Sequence, residues 1–334
     1  MDPSRQLLQM VNGYQVSQAL HTAAVLRISD VLAAGPRDVS EVAAATGTHG
    51  PTLLRLLRAL ESVGVYVSDG EGRYSNTDLS EQLRTDVPGS LAGWATYVGR
   101  PYYRQAWTGL PDSLRTGDNA FASVHGMAVW EYRQRHPDEQ LVFDDAMSST
   151  AGPVLRAVVD SFDFGRFATV ADIGGGVGTL LAAILDRYPR VRGVLFDQPA
   201  VVAGAAPVLL AAGLTERCRT VGGSFFDSVP AGADAYVLKS IIHDWRDEEA
   251  IAVLRACRRA MGDDARLLLV EQLIGRGPDP AHTAFGDLNM LVSPGGSERT
   301  LEQYADLLAA GGFSLVGANE TGTPAYVIEA APVS

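Results

Sequence analysis

The sequence predicts an α/β protein in two parts, a helical winged-helix domain followed by a Rossmann-like, mostly parallel sheet. Three observations carry that expectation. A hydrophobic run, a glycine-rich turn and a helical pattern follow one another at 169–185. Five such runs alternate with helical patterns from 166 onward. The first 90 residues combine leucine-rich helices with one short hairpin.

The N-terminal elements come first. Leu7, Leu8, Val11, Tyr14, Ala19 and Leu20 recur at roughly helical spacing. Between 38 and 63 the pattern reads as two short helices: Ser40 caps the first, Gly47 breaks it, and Pro51 opens the second. Gly64 ends that helix, and 65–67, the turn Asp69-Gly70-Glu71-Gly72 and Tyr74 form a hairpin. Helix-turn-helix plus hairpin is a winged helix, expected to span 1–95. Such a module can read DNA. Here Arg55 and Arg58 sit among leucine and alanine, which suits burial, and a net charge of −12 repels a polyanion. No nucleic-acid partner is expected. The apolar surface of 1–95 exceeds what one small domain buries, so a homodimer through this part is expected.

Residues 96–165 read as a helical connector rich in aromatics, among them Tyr97, Tyr102, Tyr103, Trp107, Trp130 and Phe143. Each serves helical core as readily as a ligand surface. Arg100 and Arg104 lie in the same stretch and could pair with a substrate carboxylate, although solvation is the commoner fate of an arginine. The third part, 166–334, holds strands at 169–172, 193–197, 219–221, 235–239 and 266–271. Helices separate them, including 248–261, and another follows at 300–310. Segments 314–320 and 326–330 close the chain as an antiparallel hairpin.

No apolar stretch approaches the roughly 20 residues of a membrane span, so no membrane partner is expected. Cys218 and Cys257 give neither a disulfide framework nor metal-ligand spacing, and a reducing cytoplasm is the default expectation.

The glycine turn narrows the ligand. Asp172-Ile173-Gly174-Gly175-Gly176-Val177-Gly178 departs from the dinucleotide pattern G-x-G-x-x-G, because Thr179 stands where its third glycine would fall. The acid before the first glycine would repel a pyrophosphate and suits the amino group of S-adenosylmethionine. Asp197 closes the next strand, where such folds present a carboxylate to ribose hydroxyls. Further polar groups leave later strand ends. His243 follows the fourth strand, Glu271 ends the fifth, and Glu298 lies in the loop Gly295-Gly296-Ser297-Glu298-Arg299-Thr300. An imidazole held by carboxylates is poised as a general base near neutral pH. A phenol is only about 0.1% ionised at pH 7, so a base that removes its proton has work to do. The sequence offers no carboxylate cluster resembling a magnesium site, and no metal is expected.

Together these residues resemble the class I S-adenosylmethionine-dependent O-methyltransferases that act on plant phenylpropanoids, N-acetylserotonin and bacterial aromatic metabolites. The resemblance runs over nearly the whole chain and includes Gly223-Ser224-Phe225-Phe226, Leu238-Lys239 and His243-Asp244-Trp245. It implies a methyltransferase sheet behind a winged-helix dimerisation domain whose N-terminal segment reaches toward the partner's active site. It implies His243 as base, oriented by Glu271 and Glu298. Asp172, Gly174, Gly176, Asp197, Gly223, Ser224, Phe225, Lys239 and Trp245 would hold the cofactor. Phe143, Met147 and Met290 would line the pocket of an aromatic small molecule from secondary metabolism. One departure stands out: the family usually has aspartate where this chain has Ser224, a weaker acceptor for the adenine amino group. Two other functions remain open at this point. A relative with this fold could hydroxylate or decarboxylate an aromatic polyketide, and a winged-helix regulator could use the cofactor fold as a sensor.

Overall fold

The computed structural model describes residues 2–333, without the side chains of residues 150, 151 and 153. Two compact units emerge, one of Met1–Thr108 and Trp130–Gly152 and one of Gly109–Val129 and Pro153–Ser334. The stretch 96–165, read above as one connector, contributes helices to both, because its aromatic helices each pack within a larger core.

In the first unit, two short strands expected as a hairpin become three, β1 (Arg37–Asp38), β2 (Tyr66–Ser68) and β3 (Arg73–Asn76), in the order β1-β3-β2. The helix Val39–Thr46 begins at Asp38, not at Ser40. Asp38 is the last extended residue, and the Glu41 carboxylate accepts its N–H at 2.9 Å, the reciprocal contact of a capping box. Gly47 ends this helix in the left-handed region at φ 65°. The next helix, Gly50–Glu61, buries Leu53, Leu57 and Leu60 at near-helical spacing against Ile28, Leu32, Val42 and Tyr66. Each leucine so buried stabilises the unit by about 1.5–3 kcal/mol. The first helix, Pro3–Val11, buries none of its residues, and Leu7, Leu8, Met10 and Val11 are all exposed.

The second unit is built on β4 (Thr169–Ile173), β5 (Arg192–Asp197), β6 (Cys218–Gly222), β7 (Ala235–Lys239), β8 (Arg266–Gln272), β9 (Phe313–Glu320) and β10 (Ala325–Pro332). Their order is β6-β5-β4-β7-β8-β10-β9. The first five pair in parallel, and β10 runs antiparallel to both neighbours, as the closing hairpin requires. The strands read as near-continuous apolar runs because helices cover them. Leu267, Leu269, Tyr236, Leu238, Val253, Leu254 and Cys257 share one core. The chain leaves β4 for β5 on one side and reaches β7 on the other. That reversal opens a crevice at the carboxyl ends of these strands, where ligands of such sheets collect.

Candidate active site

The glycine turn leaves β4 at that crevice. Gly174, Gly176 and Gly178 have φ of 71°, 61° and 86°, a region that favours glycine. A Cβ on Gly174 would also stand 2.5 Å from Ile241 Cδ1, so a side chain there is excluded twice over. The Gly174 N–H donates to Phe196 O at 2.8 Å, tying the turn to the end of β5. Asp197, at that end, accepts the Gly176 N–H through Oδ2 at 2.8 Å and the Gln198 N–H through Oδ1 at 2.6 Å. A carboxylate has about four lone-pair sites, so two remain for ribose hydroxyls. Burial raises the Asp197 pKa.

Asp172 is almost fully buried. Its Oδ2 has no partner. Burial pushes this carboxyl up to about 7, with the Lys239 ammonium pulling it down and Asp197 adding to the rise. Lys239 therefore acts on the same acid that closes β4. An orphaned buried carboxylate beside a side-chain-free turn fits an ammonium group, and these residues fit the amino-acid part of S-adenosylmethionine.

The aromatic end lies past β6. Gly223 leaves that strand, and a Cβ there would stand 2.8 Å from the Phe196 ring. Ser224 Oγ accepts the Phe226 N–H at 3.2 Å, an engagement that still leaves its own proton to donate. Phe225 packs edge-on to Trp245 with centroids 6.0 Å apart, and Phe226 does so at 4.7 Å. Phe226 joins this wall although the sequence assigned it no role of its own.

The third cluster forms where β7 and β8 end. Ser240 exits β7 at φ 54°, an unfavourable value for a residue with a Cβ. The short 3₁₀ turn Ile242–Asp244 then carries His243. Glu271 Oε1 accepts the Ile241 and Ile242 N–H groups at 3.1 and 2.8 Å, and Oε2 faces His243 Nδ1 at 3.6 Å. Glu298 Oε1 lies 2.9 Å from the same Nδ1. With Nδ1–H donating to Glu298, the lone pair of Nε2 stays available, 3.6 Å from Asp244 Oδ1. Glu298 is itself fixed, its N–H donating to Asp287 Oδ1 at 2.9 Å.

The backbone of His243 is held as firmly as its ring. Its carbonyl accepts the Ser297 N–H at 2.9 Å, and a Cβ on Gly296 would meet that carbonyl at 2.0 Å. Only glycine permits this approach. Arg299, nearly fully buried, donates to Ile242 O at 3.1 Å, Trp245 O at 2.8 Å and Asp247 Oδ1 at 2.8 Å. Burial opposes a charged imidazole at His243, but Glu271, Asp244 and Glu298 outweigh it and raise the pKa to about 10. Burial in turn pushes Glu271 up to about 7, opposed by the imidazolium. These groups titrate as one coupled unit.

The structure therefore brings His243, Glu271 and Glu298 together and gathers the cofactor candidates at the neighbouring strand ends. Asp287, Arg299 and Asp244 escaped assignment, because nothing in their local sequence separates a fixing residue from a solvated one. Phe143 lies in the first unit, 5.5 Å from the Tyr97 ring, and Met147 is more than a third exposed on the helix Pro137–Ser161. Met290 lies on the helix Pro280–Val292 of the second unit. Neither arginine offered for a substrate carboxylate is free for it. Arg100 forms a two-pronged ion pair with Glu139, and Arg104 donates to Ser17 Oγ.

An O-methyltransferase domain family matches residues 107–314, and an O-methyltransferase dimerisation domain matches 8–86. A phenazine O-methyltransferase of Lysobacter antibioticus is 42% identical over 98% of this chain and 96% of its own length. An aclacinomycin 10-hydroxylase of Streptomyces purpurascens is 33% identical, covering 95% and 86%. The crystal structure of an O-methyltransferase from neocarzinostatin biosynthesis, in complex with S-adenosylmethionine and 2-hydroxy-5-methyl naphthoic acid, superposes with a TM-score of 0.83. It shares 34% identity over 95% of this chain and 96% of that one.

Proposed function

The chain belongs to the S-adenosylmethionine-dependent O-methyltransferase family, and from that premise we propose that it methylates a hydroxyl of an aromatic small molecule with His243 as general base. The observation that carries this reading is the His243 imidazole, whose Nδ1 faces two buried carboxylates and whose Nε2 is left for the acceptor.

S-adenosylmethionine, when bound, supplies a methyl group on a sulfonium, already activated for displacement. In this reading Asp172 receives its ammonium, Gly174 and Gly176 allow its close approach, and Asp197 takes the ribose hydroxyls. Gly223, Ser224, Phe225 and Trp245 flank the adenine, and Lys239 balances the charge of Asp172. His243 Nε2 accepts the acceptor's hydroxyl proton as its oxygen takes the methyl group. Glu298 holds the Nδ1–H, and Glu271 stabilises the imidazolium that forms. General-base assistance of this kind contributes roughly 10²–10⁴-fold, and alignment of the reacting groups contributes more. Met290, in the same unit as His243, remains a proposed apolar surface for the acceptor ring.

The exposed helix Pro3–Val11 and the matched dimerisation domain support a homodimer. Light scattering at micromolar concentration tests it, and a monomer would overturn it. The reaction is tested by incubating the enzyme with labelled cofactor and a panel of hydroxybenzoates, hydroxynaphthoates and flavonoids. The expected product gains one methyl group. Gain of one oxygen instead would favour the hydroxylating chemistry named for one relative. Transfer confined to aliphatic alcohols or amines would sink the proposal.

A further inference from the structure

We propose that Asn119 is a positioning residue for the base: its carboxamide fixes the start of the loop that delivers Ser297 and Glu298 to His243. The inference rests on the His243 reading above, and every group in it lies in the second unit. The helix Pro280–Val292 ends, as any helix does, with carbonyls that no intrahelical donor reaches. The chain that follows answers two of them, as the Ser293 N–H donates to Asn289 O and the Gly295 N–H to Met290 O, both at 2.8 Å. The next three carbonyls belong to Leu291, Val292 and Ser293. Asn119 Nδ2 donates to all three, at 2.8, 3.2 and 3.2 Å. Oδ1 accepts the Ala122 N–H at 2.7 Å, which settles the orientation of the amide and leaves Nδ2 to the carbonyls.

This helix end decides where the base is held. Past Ser293 the chain turns at Gly295, φ 97°, where a Cβ would stand 3.4 Å from Asn119 Cβ. The Ser297 N–H then reaches the His243 carbonyl, and Glu298 Oε1 reaches Nδ1, both at 2.9 Å. A donor stitched to three consecutive carbonyls gives that loop a single starting point. The same turn also grips the segment that carries the imidazole, since Gly117 O accepts from Arg246 Nη2 at 3.2 Å. Residues 117–119 therefore brace both segments that meet at His243. Asn119 has a second task, capping the short helix Ala120–His125 through Oδ1. The two tasks are separable because aspartate has the same shape. Its carboxylate caps as well as asparagine does, but it has no proton to donate and sets a charge against three carbonyl oxygens.

The test measures kcat, the cofactor Kd and, independently of turnover, the titration of the His243 ring by proton NMR, assigned by its loss in His243→Ala. Asp244, Glu271 and Glu298 face that ring, Asp287 holds the Glu298 N–H, and Arg299 and Tyr304 lie near these acids. Loosening Glu298 should lower the midpoint by about 1 in pH in both Asn119→Ala and Asn119→Asp, the smaller end of what a neighbouring charge contributes. In each, kcat should fall about 10-fold, with the cofactor Kd within a few-fold of wild type. In a His243→Ala background neither substitution should cost further activity, because no base is left to position. A helix cap alone predicts another order, with Asn119→Asp like wild type and Asn119→Ala impaired, and that order would overturn the proposal. So would an unmoved midpoint in Asn119→Ala, which adds no charge and decides the matter even where Asn119→Asp does not fold. Equal losses with and without the His243 ring would overturn it as well. A fully active His243→Ala would count against the base reading alone, and the NMR midpoint would still decide whether Asn119 sets the place of Glu298.

Discussion

Two buried carboxylates, Asp172 at the end of β4 and Glu271 at the end of β8, stand in equivalent places and differ in how they are completed. Burial pushes both up to about 7. Glu271 is answered by charge from within the chain, with two backbone N–H groups on one oxygen and the His243 ring 3.6 Å from the other, which itself accepts no hydrogen bond. Asp172 has an oxygen with no partner, and the opposite charge that acts on it is Lys239. The difference teaches that one strand end is finished by the protein and serves catalysis, whereas the other is finished by a ligand and serves binding. The two ends should then be separable by substitution.

The largest expected effect is at the finished end. His243→Ala should lower kcat by roughly 10²–10⁴-fold, the span of general-base catalysis, while the cofactor Kd stays within a few-fold. Calorimetry and steady-state assays check both halves. At the unfinished end, Asp172→Asn should weaken cofactor binding by about 100-fold, the scale of a lost buried charge contact, and leave the fold intact. A Kd near the wild-type value would show that Asp172 does not receive the cofactor.

The pH dependence sharpens the contrast. Three acids hold the His243 pKa near 10 in the ligand-free protein, so kcat/KM, which reports that state, should climb with alkalinity toward pH 10. Glu298→Gln removes one of those charges. Activity should fall about 10-fold, the lower reach of assistance from an oriented base, and the rising limb should move to lower pH. A limb that stays in place would show that Glu298 does not act through His243.

Stability gives a smaller signal. An acid whose pKa is raised on folding stabilises the fold below its unfolded value, near 3.8 for Asp172, and that stability is lost as pH rises through about 7. Ligand-free Asp172→Asn should therefore match wild type under acid conditions and melt several degrees higher above pH 7. Smallest of all is the effect of a chelator. The donor atoms of His243, Glu271 and Glu298 lie within 4.8 Å of one another, close enough to grasp a cation. If these groups share protons instead, as a general base and its supports must, dialysis against a chelator should leave kcat unchanged. A loss of activity restored by a divalent metal would contradict that role.

How much of this was legible beforehand follows physical scale. The strand–glycine–helix unit reads directly, because φ near 60–90° at Gly174, Gly176 and Gly178 demands glycine and apolar runs demand burial. His243, Glu271 and Glu298 could be proposed as a group because each leaves a strand end or a loop on the same side of the sheet. Their supports could not. Asp287 and Arg299 act through backbone atoms far away in sequence, and no local pattern marks such a contact. The cap falls at Asp38 and not at Ser40 because β1 is only two residues long and carries no apolar alternation to announce it. Arg100 reads as available from sequence because its partner Glu139 lies 39 residues on.

The most direct test of separable ends is the single-turnover rate of methyl transfer at saturating S-adenosylmethionine, measured for His243→Ala and Asp172→Asn side by side. Saturation should rescue Asp172→Asn to within about 10-fold of wild type, because what it lost was binding. His243→Ala should remain slower by roughly 100-fold or more however much cofactor is supplied. Equal, unrescued losses in the two variants would contradict the division of labour between the two strand ends.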